Sequence, residues 1–355
     1  MTNRENFIRA IRRQNPEYVP LEFRLCPMQM ERFKKETGRE DFMEYYHLPI
    51  RYVDLNPTNK TYDFTPYYKG TLPEGAIPLT FAAEWGVMGV GGLAHFQSMF
   101  HPLGQVEDVE EIKTYPMPDF DEDYRYEGLA EQIQQWKDRD IITVKHMKET
   151  IFEIAWYLRG MDKLLLDFYE NEDYVNCLFD RLTQLRINSI RKITACGIDV
   201  VQLGDDIATQ LNMLISPELW REWLKPRMKA IIDAAKELNP DVIIFYHSCG
   251  NIQRVIPDLI EIGIDVLNPI QPECMDVAKV KEKYGDQISF WGGLGTQTVM
   301  PFGTPQEVEA ACKQLIEIVG RGGGFVLSPA HVVEPEVSWE NLQAMIAAHK
   351  KYCKY

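Results

Sequence analysis

The sequence predicts an α/β protein folded as a single (β/α)8 barrel, the TIM-barrel architecture. An irregular N-terminal elaboration spans residues 1–135 and a regular β/α part spans 136–355. Three observations carry this. From about residue 140, short and nearly continuous apolar runs recur with helical segments between them, the pattern of parallel strands buried on both faces. Almost every run ends in chemistry-bearing residues: His146, Asp205 and Asp206, His247 and Cys249, Asn268, Gln297 and His331. A closed barrel gathers all its strand ends around one mouth, whereas a doubly wound sheet uses chiefly the crevice at its switch point. Finally, no GxGxxG follows a first strand and no GxxxxGK[ST] occurs. The stretch GRGGGF (320–325) leads into a strand, the wrong context for cradling a phosphate.

The elements follow in chain order. RENFIRAIRRQ reads as an amphipathic helix with Phe7, Ile8 and Ile11 on one side. NPEYVPLEF turns at proline into a short strand, and residues 30–135 mix short strands, Tyr/Pro-rich loops and acidic stretches. The regular strands are IITVKH (141–146), GIDVVQLGDD (197–206), DVIIFYHSCG (241–250), GIDVLNP (263–269), QISFWGGLG (287–295) and GGFVLSPAH (323–331). Helix starts are legible between them. Ser216 with Pro217 opens one helix, Thr304 with Pro305 and Glu307 makes a capping box for another, and Gly320 ends the latter.

The composition is that of a globular chain: 355 residues, 45% hydrophobic and 26% charged. Its net charge of −15 is spread along the chain, which argues against nucleic acid, anionic membranes and polyanionic substrates as partners. The start lacks a long apolar stretch and no run approaches membrane-spanning length. The seven cysteines are widely spaced and never form CxxC, as in a reducing cytoplasm. The expectation is a cytoplasmic protein.

The chemistry gathers at the strand ends. His247 and Cys249 are two residues apart, so both side chains leave a strand on the same side, and Gly250 lets the chain turn away. Imidazole with thiolate suits zinc, and a catalytic zinc site needs three protein ligands. His331, at the end of the last strand, is the candidate third ligand. The bland alternative is a hydrogen-bonded core histidine beside a buried thiol. Asp205 and Asp206 are adjacent, so one should face the mouth while the other caps a helix or loop. Asp205 is the candidate acid/base, or else a residue that orients a metal ligand from behind. Glu153 is its candidate helper, orienting a ligand or else pairing with Arg159. His146 is a candidate substrate contact, Asn268 and Gln297 either bind a substrate's polar group or satisfy loop backbone, and Trp85 in AEWGV is either a pocket wall or a core tryptophan.

The motifs GDDIATQ, SPELWREWLKPRMKAII, HSCGNI, GIDVLNP, WGGLGTQ and GGFVLSPAH together resemble the uroporphyrinogen decarboxylase-like barrels. That superfamily includes the heme-pathway decarboxylase and the cobamide-dependent methyltransferases that demethylate methanol, methylamines or methoxy compounds. The resemblance covers roughly residues 140–350, with weaker echoes in RENFIRAIRRQNPEYVPLEF. The decarboxylases carry a basic RQAGR-type stretch, whereas PLEFRLCPMQMERF offers Arg24 and little else. The methyltransferases carry HxC followed much later by a cysteine. Here His247 and Cys249 match the first two positions, and His331 stands at the third, where the decarboxylases also have histidine.

The resemblance therefore implies a zinc-dependent methyltransferase working with a corrinoid carried on a partner protein. The small molecule is a methyl donor or a thiol acceptor. A His/Cys/His set is less anionic than His/Cys/Cys, which favours polarising the oxygen of a methoxy donor. The rival readings are a metal-free tetrapyrrole decarboxylase using Asp205 and His331, and a non-catalytic binding barrel.

Overall fold

The computed structural model describes residues 1–90, 98–147 and 149–354. One parallel sheet runs in chain order through seven strands: β1 (Ile50–Tyr52), β2 (Ile142–His146), β3 (Val200–Gly204), β4 (Ile243–His247), β5 (Val266–Asn268), β6 (Ser289–Leu294) and β7 (Phe325–Pro329). The six apolar runs after residue 140 all form strands. Helices α1 (Asn3–Arg12), α2 (Phe152–Arg159), α3 (Glu172–Ala195), α4 (Lys225–Lys236), α5 (Val277–Tyr284), α6 (Pro305–Ile318) and α7 (Trp339–Tyr352) flank or cap it.

Strand alternation sorts the core into two parts. Ile142, Val144, Val200, Ile243, Phe245, Val266, Trp291 and Val326 fill the inside of the curled sheet, while the intervening residues pack against the helices. Phe7 and Ile11 of α1 join the inner set. The Phe7 ring meets Trp291 edge-on at 5.4 Å, so α1 plugs the end opposite the mouth.

Eight strands were expected, and seven are joined by continuous ladders. The eighth place belongs to the segment around Leu21, which pairs with β7 at a single parallel bridge to Leu327. Glu22 N–H donates to Leu327 O (3.0 Å) and Leu327 N–H to Pro20 O (2.9 Å). Proline at 20 has no N–H to give, which shortens any ladder here. Among the described residues no backbone hydrogen bond joins this segment to β1. Side chains span the gap instead. The buried Glu22 carboxylate accepts from Trp291 Nε1 (3.0 Å), Ser328 Oγ (3.1 Å) and Tyr52 Oη (3.2 Å).

The caps form as the sequence foretells. Ser216 Oγ accepts from Leu219 N–H (3.1 Å), and Thr304 and Glu307 close a full capping box. The helix after Ser216 widens into a π-turn at Trp220–Leu224 before α4. Pro226, just beyond, cannot donate to the preceding turn, which accounts for the loosened spacing. In the elaboration, Ile77–Pro78, Met88–Val90 and Ser98–Phe100 form a small antiparallel sheet. No helix of the described residues is long and apolar enough to cross a membrane.

The eighth segment is also tied to α7, where His349 Nε2–H donates to Val19 O (2.7 Å). Burial holds the His349 pKa below its ordinary 6.5. A histidine lowered in this way contributes stability that is complete above 6.5 and is lost as pH falls. His349→Gln should therefore flatten the loss of stability between about pH 7.5 and about pH 5.5, read as the shift in urea midpoint. An unchanged slope would contradict this reading.

Candidate metal centre at the barrel mouth

The phase of each strand decides what reaches the mouth. In β3, Val200 and Gln202 face inward, and two further steps of two carry Asp206 inward and Asp205 outward. In β4, Ile243 and Phe245 face inward, and the same phase presents His247 and then Cys249. Two glycines let these ends converge. A Cβ on Gly204 would lie 2.3 Å from His247 O, and one on Gly250 (φ +86°) would lie 2.5 Å from Thr209 O. No side chain fits either position.

Asp206, His247 and Cys249 result as a compact donor group, with one ligand atom from each lying within 4.8 Å of the others. His247 Nε2 is 3.6 Å from Cys249 Sγ and 3.5 Å from Asp206 Oδ1. A tetrahedral zinc with bonds of about 2.0–2.3 Å has ligand–ligand edges of roughly 3.3–3.8 Å. Two observed edges already match that, so the residues fit the ion. Cys249 N–H also donates to Asp206 Oδ1 (2.8 Å), locking the two loops together.

The neighbours of His247 fix its tautomer. Asn268 Nδ2 donates to Trp291 O (2.6 Å), which turns Asn268 Oδ1 toward His247 Nδ1 (2.5 Å). A carbonyl oxygen can only accept, so Nδ1 carries the proton and the Nε2 lone pair faces Cys249 and Asp206. That is the form a metal-binding histidine needs, with its second nitrogen held by a hydrogen bond.

The site residues named from the sequence divide accordingly. Asp205 is not at the mouth. It is buried and accepts from Glu153 N–H (2.9 Å) and Ile151 N–H (3.0 Å), capping α2. Burial raises its pKa to about 7, opposed by those backbone donors. Of the adjacent pair, Asp206 faces the mouth and Asp205 the helix, because strand phase gives Asp206 the inward side. Glu153 holds the site from behind. Its Oε2 accepts Asp206 N–H (3.1 Å) and its Oε1 accepts Tyr157 Oη–H (2.5 Å), while Arg159 pairs with Asp167. Burial, then Asp206 and Glu149, push Glu153 up to about 8.

His331 lines the same mouth cavity as His247, together with Glu22, Arg24 and Gln202. Its side chain is 44% exposed, with Nδ1 3.5 Å from Glu334 Oε1, and it lies outside the three-donor group. Asn268 serves His247 as described. His146 ends β2 with Nε2 3.8 Å from Glu149. Gln297 is exposed and bonds Gln210 across the rim. Trp85 is buried away from the donors, with the Arg186 guanidinium over its ring.

The two aspartates should separate by experiment. In chelator-treated protein, Asp205→Ala should cost about 1–2 kcal/mol by urea unfolding, the loss of a helix cap. Asp206→Ala should stay within about 1 kcal/mol. Equal costs would contradict the assignment.

The Uroporphyrinogen decarboxylase (URO-D) family model matches residues 98–352. The methylcobamide:CoM methyltransferase MtbA of Methanosarcina mazei is 26% identical over 289 residues, covering 78% of this chain and 79% of that protein. A uroporphyrinogen decarboxylase of Hydrogenobaculum is 24% identical over 230 residues, covering 63% of each. In fold, a solved methyltransferase from Methanosarcina mazei superposes with a TM-score of 0.70 at 18% identity, covering 99% of both chains. With six of its seven ladder strands and the Asp206, His247 and Cys249 donors inside the matched span, this chain belongs to the uroporphyrinogen decarboxylase (URO-D) family.

Proposed function

We propose that the chain is a zinc-dependent methyltransferase that moves a methyl group from a corrinoid carried on a partner protein to a small thiol. The observation that carries this reading is the contact of His247 Nδ1 with Asn268 Oδ1, which leaves Nε2 directed at Cys249 and Asp206. His247, Cys249 and Asp206 would hold the ion, with His331 facing the same cavity. A zinc ion there supplies a Lewis acid that lowers the pKa of a coordinated thiol.

The donor set favours a thiol over a methoxy donor. Cys249 thiolate and Asp206 carboxylate together offset a divalent charge, whereas the His/Cys/His set expected from sequence leaves the site cationic. A near-neutral site ionises a thiol yet leaves its sulfur electron-rich. Net transfer forms a sulfur–carbon bond, breaks a carbon–cobalt bond and releases the thiol proton. The methylcobamide:CoM methyltransferase relatives support the same direction. The chain's own residues do the positioning. Asn268 sets the imidazole, Glu153 holds the backbone of Asp206, and Cys249 N–H fixes the Asp206 carboxylate. The decarboxylase reading fits less well, since among the described residues Arg24 is the one lysine or arginine lining the mouth cavity, and a tetrapyrrole polyanion needs several cations.

Protein purified without chelator should contain about one zinc per chain by elemental analysis, and Cys249→Ala should lose it. Asn268→Ala should keep the fold but weaken zinc affinity by about 10–100-fold in competition with a chelating dye. Metal-free protein that consumes uroporphyrinogen would contradict the proposal.

A further inference from the structure

A second cavity, of about 290 Å³, opens where the ends of β1 and β2 meet α3 and the loop 117–126. Asp54, Arg125, Lys145, His146 and Arg186 line it. Two of its cations have carboxylate partners. Arg125 is held by Asp119 (2.6 Å) and Glu84 (3.1 Å), and Lys145 by Asp54 (2.9 Å).

Arg186 differs. It is 6% exposed, and its Nε and Nη2 donate to the backbone oxygens of Thr150 (3.2 Å) and Glu149 (2.8 Å). The rings of Trp85 and Phe120 lie against its guanidinium at 5.3 and 5.8 Å. Among the described residues it forms no ion pair with a carboxylate; Glu149 and Asp205 act on it only through space. Burying a cation without a partner is strongly unfavourable, and such charges persist where something else supplies the countercharge. Arg125 adds an independent sign: its Nε–H is buried with no acceptor, although the rest of its guanidinium is paired.

We propose that this cavity is an anion-binding site, taking the oxyanion group of a small molecule against Arg186 and Lys145. The guanidinium packs beside the touching rings of Trp85 and Phe120, which hold it in place, and Lys145 adds a point charge. Asp54, on the cavity wall, competes for Lys145 and sets the affinity. The site stands apart from the donor group and does not rest on the methyl-transfer reading. His146 and His247 end strands two apart, so the two sites are roughly 10 Å from each other along the rim. That span allows either of two sources for the anion: the acidic end of a substrate whose reactive end lies at the metal, or a separate effector.

The test is a calorimetric titration of the full chain with inorganic phosphate at low ionic strength. Arg186→Met, which keeps apolar bulk against the two rings, should weaken binding at least tenfold. Lys145→Met should weaken it several-fold, and it carries the test should the first variant fail to fold. Asp54→Asn, which removes the competing carboxylate, should tighten it. Cys249→Ala should leave it unchanged, so failure at the metal centre and failure here are separable. In the active enzyme, phosphate that raises KM for the thiol marks a substrate subsite, and phosphate that changes kcat alone marks an effector site. Phosphate affinity unchanged in both Arg186→Met and Lys145→Met would overturn the proposal, as would its loss in Cys249→Ala.

Discussion

The hydrogen bond between His247 Nδ1 and Asn268 Oδ1 is the constraint on which the site depends. It selects the tautomer that presents a bare nitrogen to Cys249 and Asp206. Its orientation is inherited, because Asn268 is turned by Trp291 O on the next strand. Trp291 in turn gives its indole N–H to Glu22, and Glu22 binds Tyr52 and Ser328 across the edges of the sheet. The polar chain that orients the candidate ligand is thus the same one that closes the barrel where backbone pairing is sparse. Site geometry and fold closure draw on one shared polar network.

The second constraint is steric. Asp206 reaches Cys249 because β3 and β4 approach more closely than side chains allow, at Gly204 and again at Gly250. Glu153 then braces the Asp206 backbone from the start of α2, while Asp205 caps that same helix. Adjacent aspartates do opposite jobs, one holding the helix and the other facing the cavity, and the helix brings Glu153 to serve the second. The candidate donor set carries two potentially anionic groups, Cys249 and Asp206, beside one imidazole.

Much of this was legible in the sequence. The six apolar runs, the Ser216 and Thr304 caps and the plugging face of α1 all follow from local patterns that tertiary packing reinforces. His247 and Cys249 were legible from spacing alone. The choice between Asp205 and Asp206 was within reach, since Val200 and Gln202 already set the inward phase of β3, but adjacency without phase left the pair ambiguous. His331 illustrates the opposite limit. A strand-end position brings it to the right cavity, yet it lies past β7, where strand alternation no longer dictates direction, and it leans to Glu334. Glu22 gave no signal, because its role exists only once four distant segments meet. The pairing of Arg186 with Trp85 and Phe120 is hidden for the same reason.

The most direct measurement is zinc K-edge X-ray absorption on the purified full chain. The account predicts a four-coordinate zinc with one sulfur near 2.3 Å, the remaining N/O donors at about 2.0–2.1 Å, and outer-shell scattering from imidazole. The protein-bound zinc signal should be lost in Cys249→Ala and in His247→Ala. A zinc shell without sulfur, or one unchanged in those variants, would place the ion elsewhere and contradict the assignment of His247, Cys249 and Asp206 as its ligands.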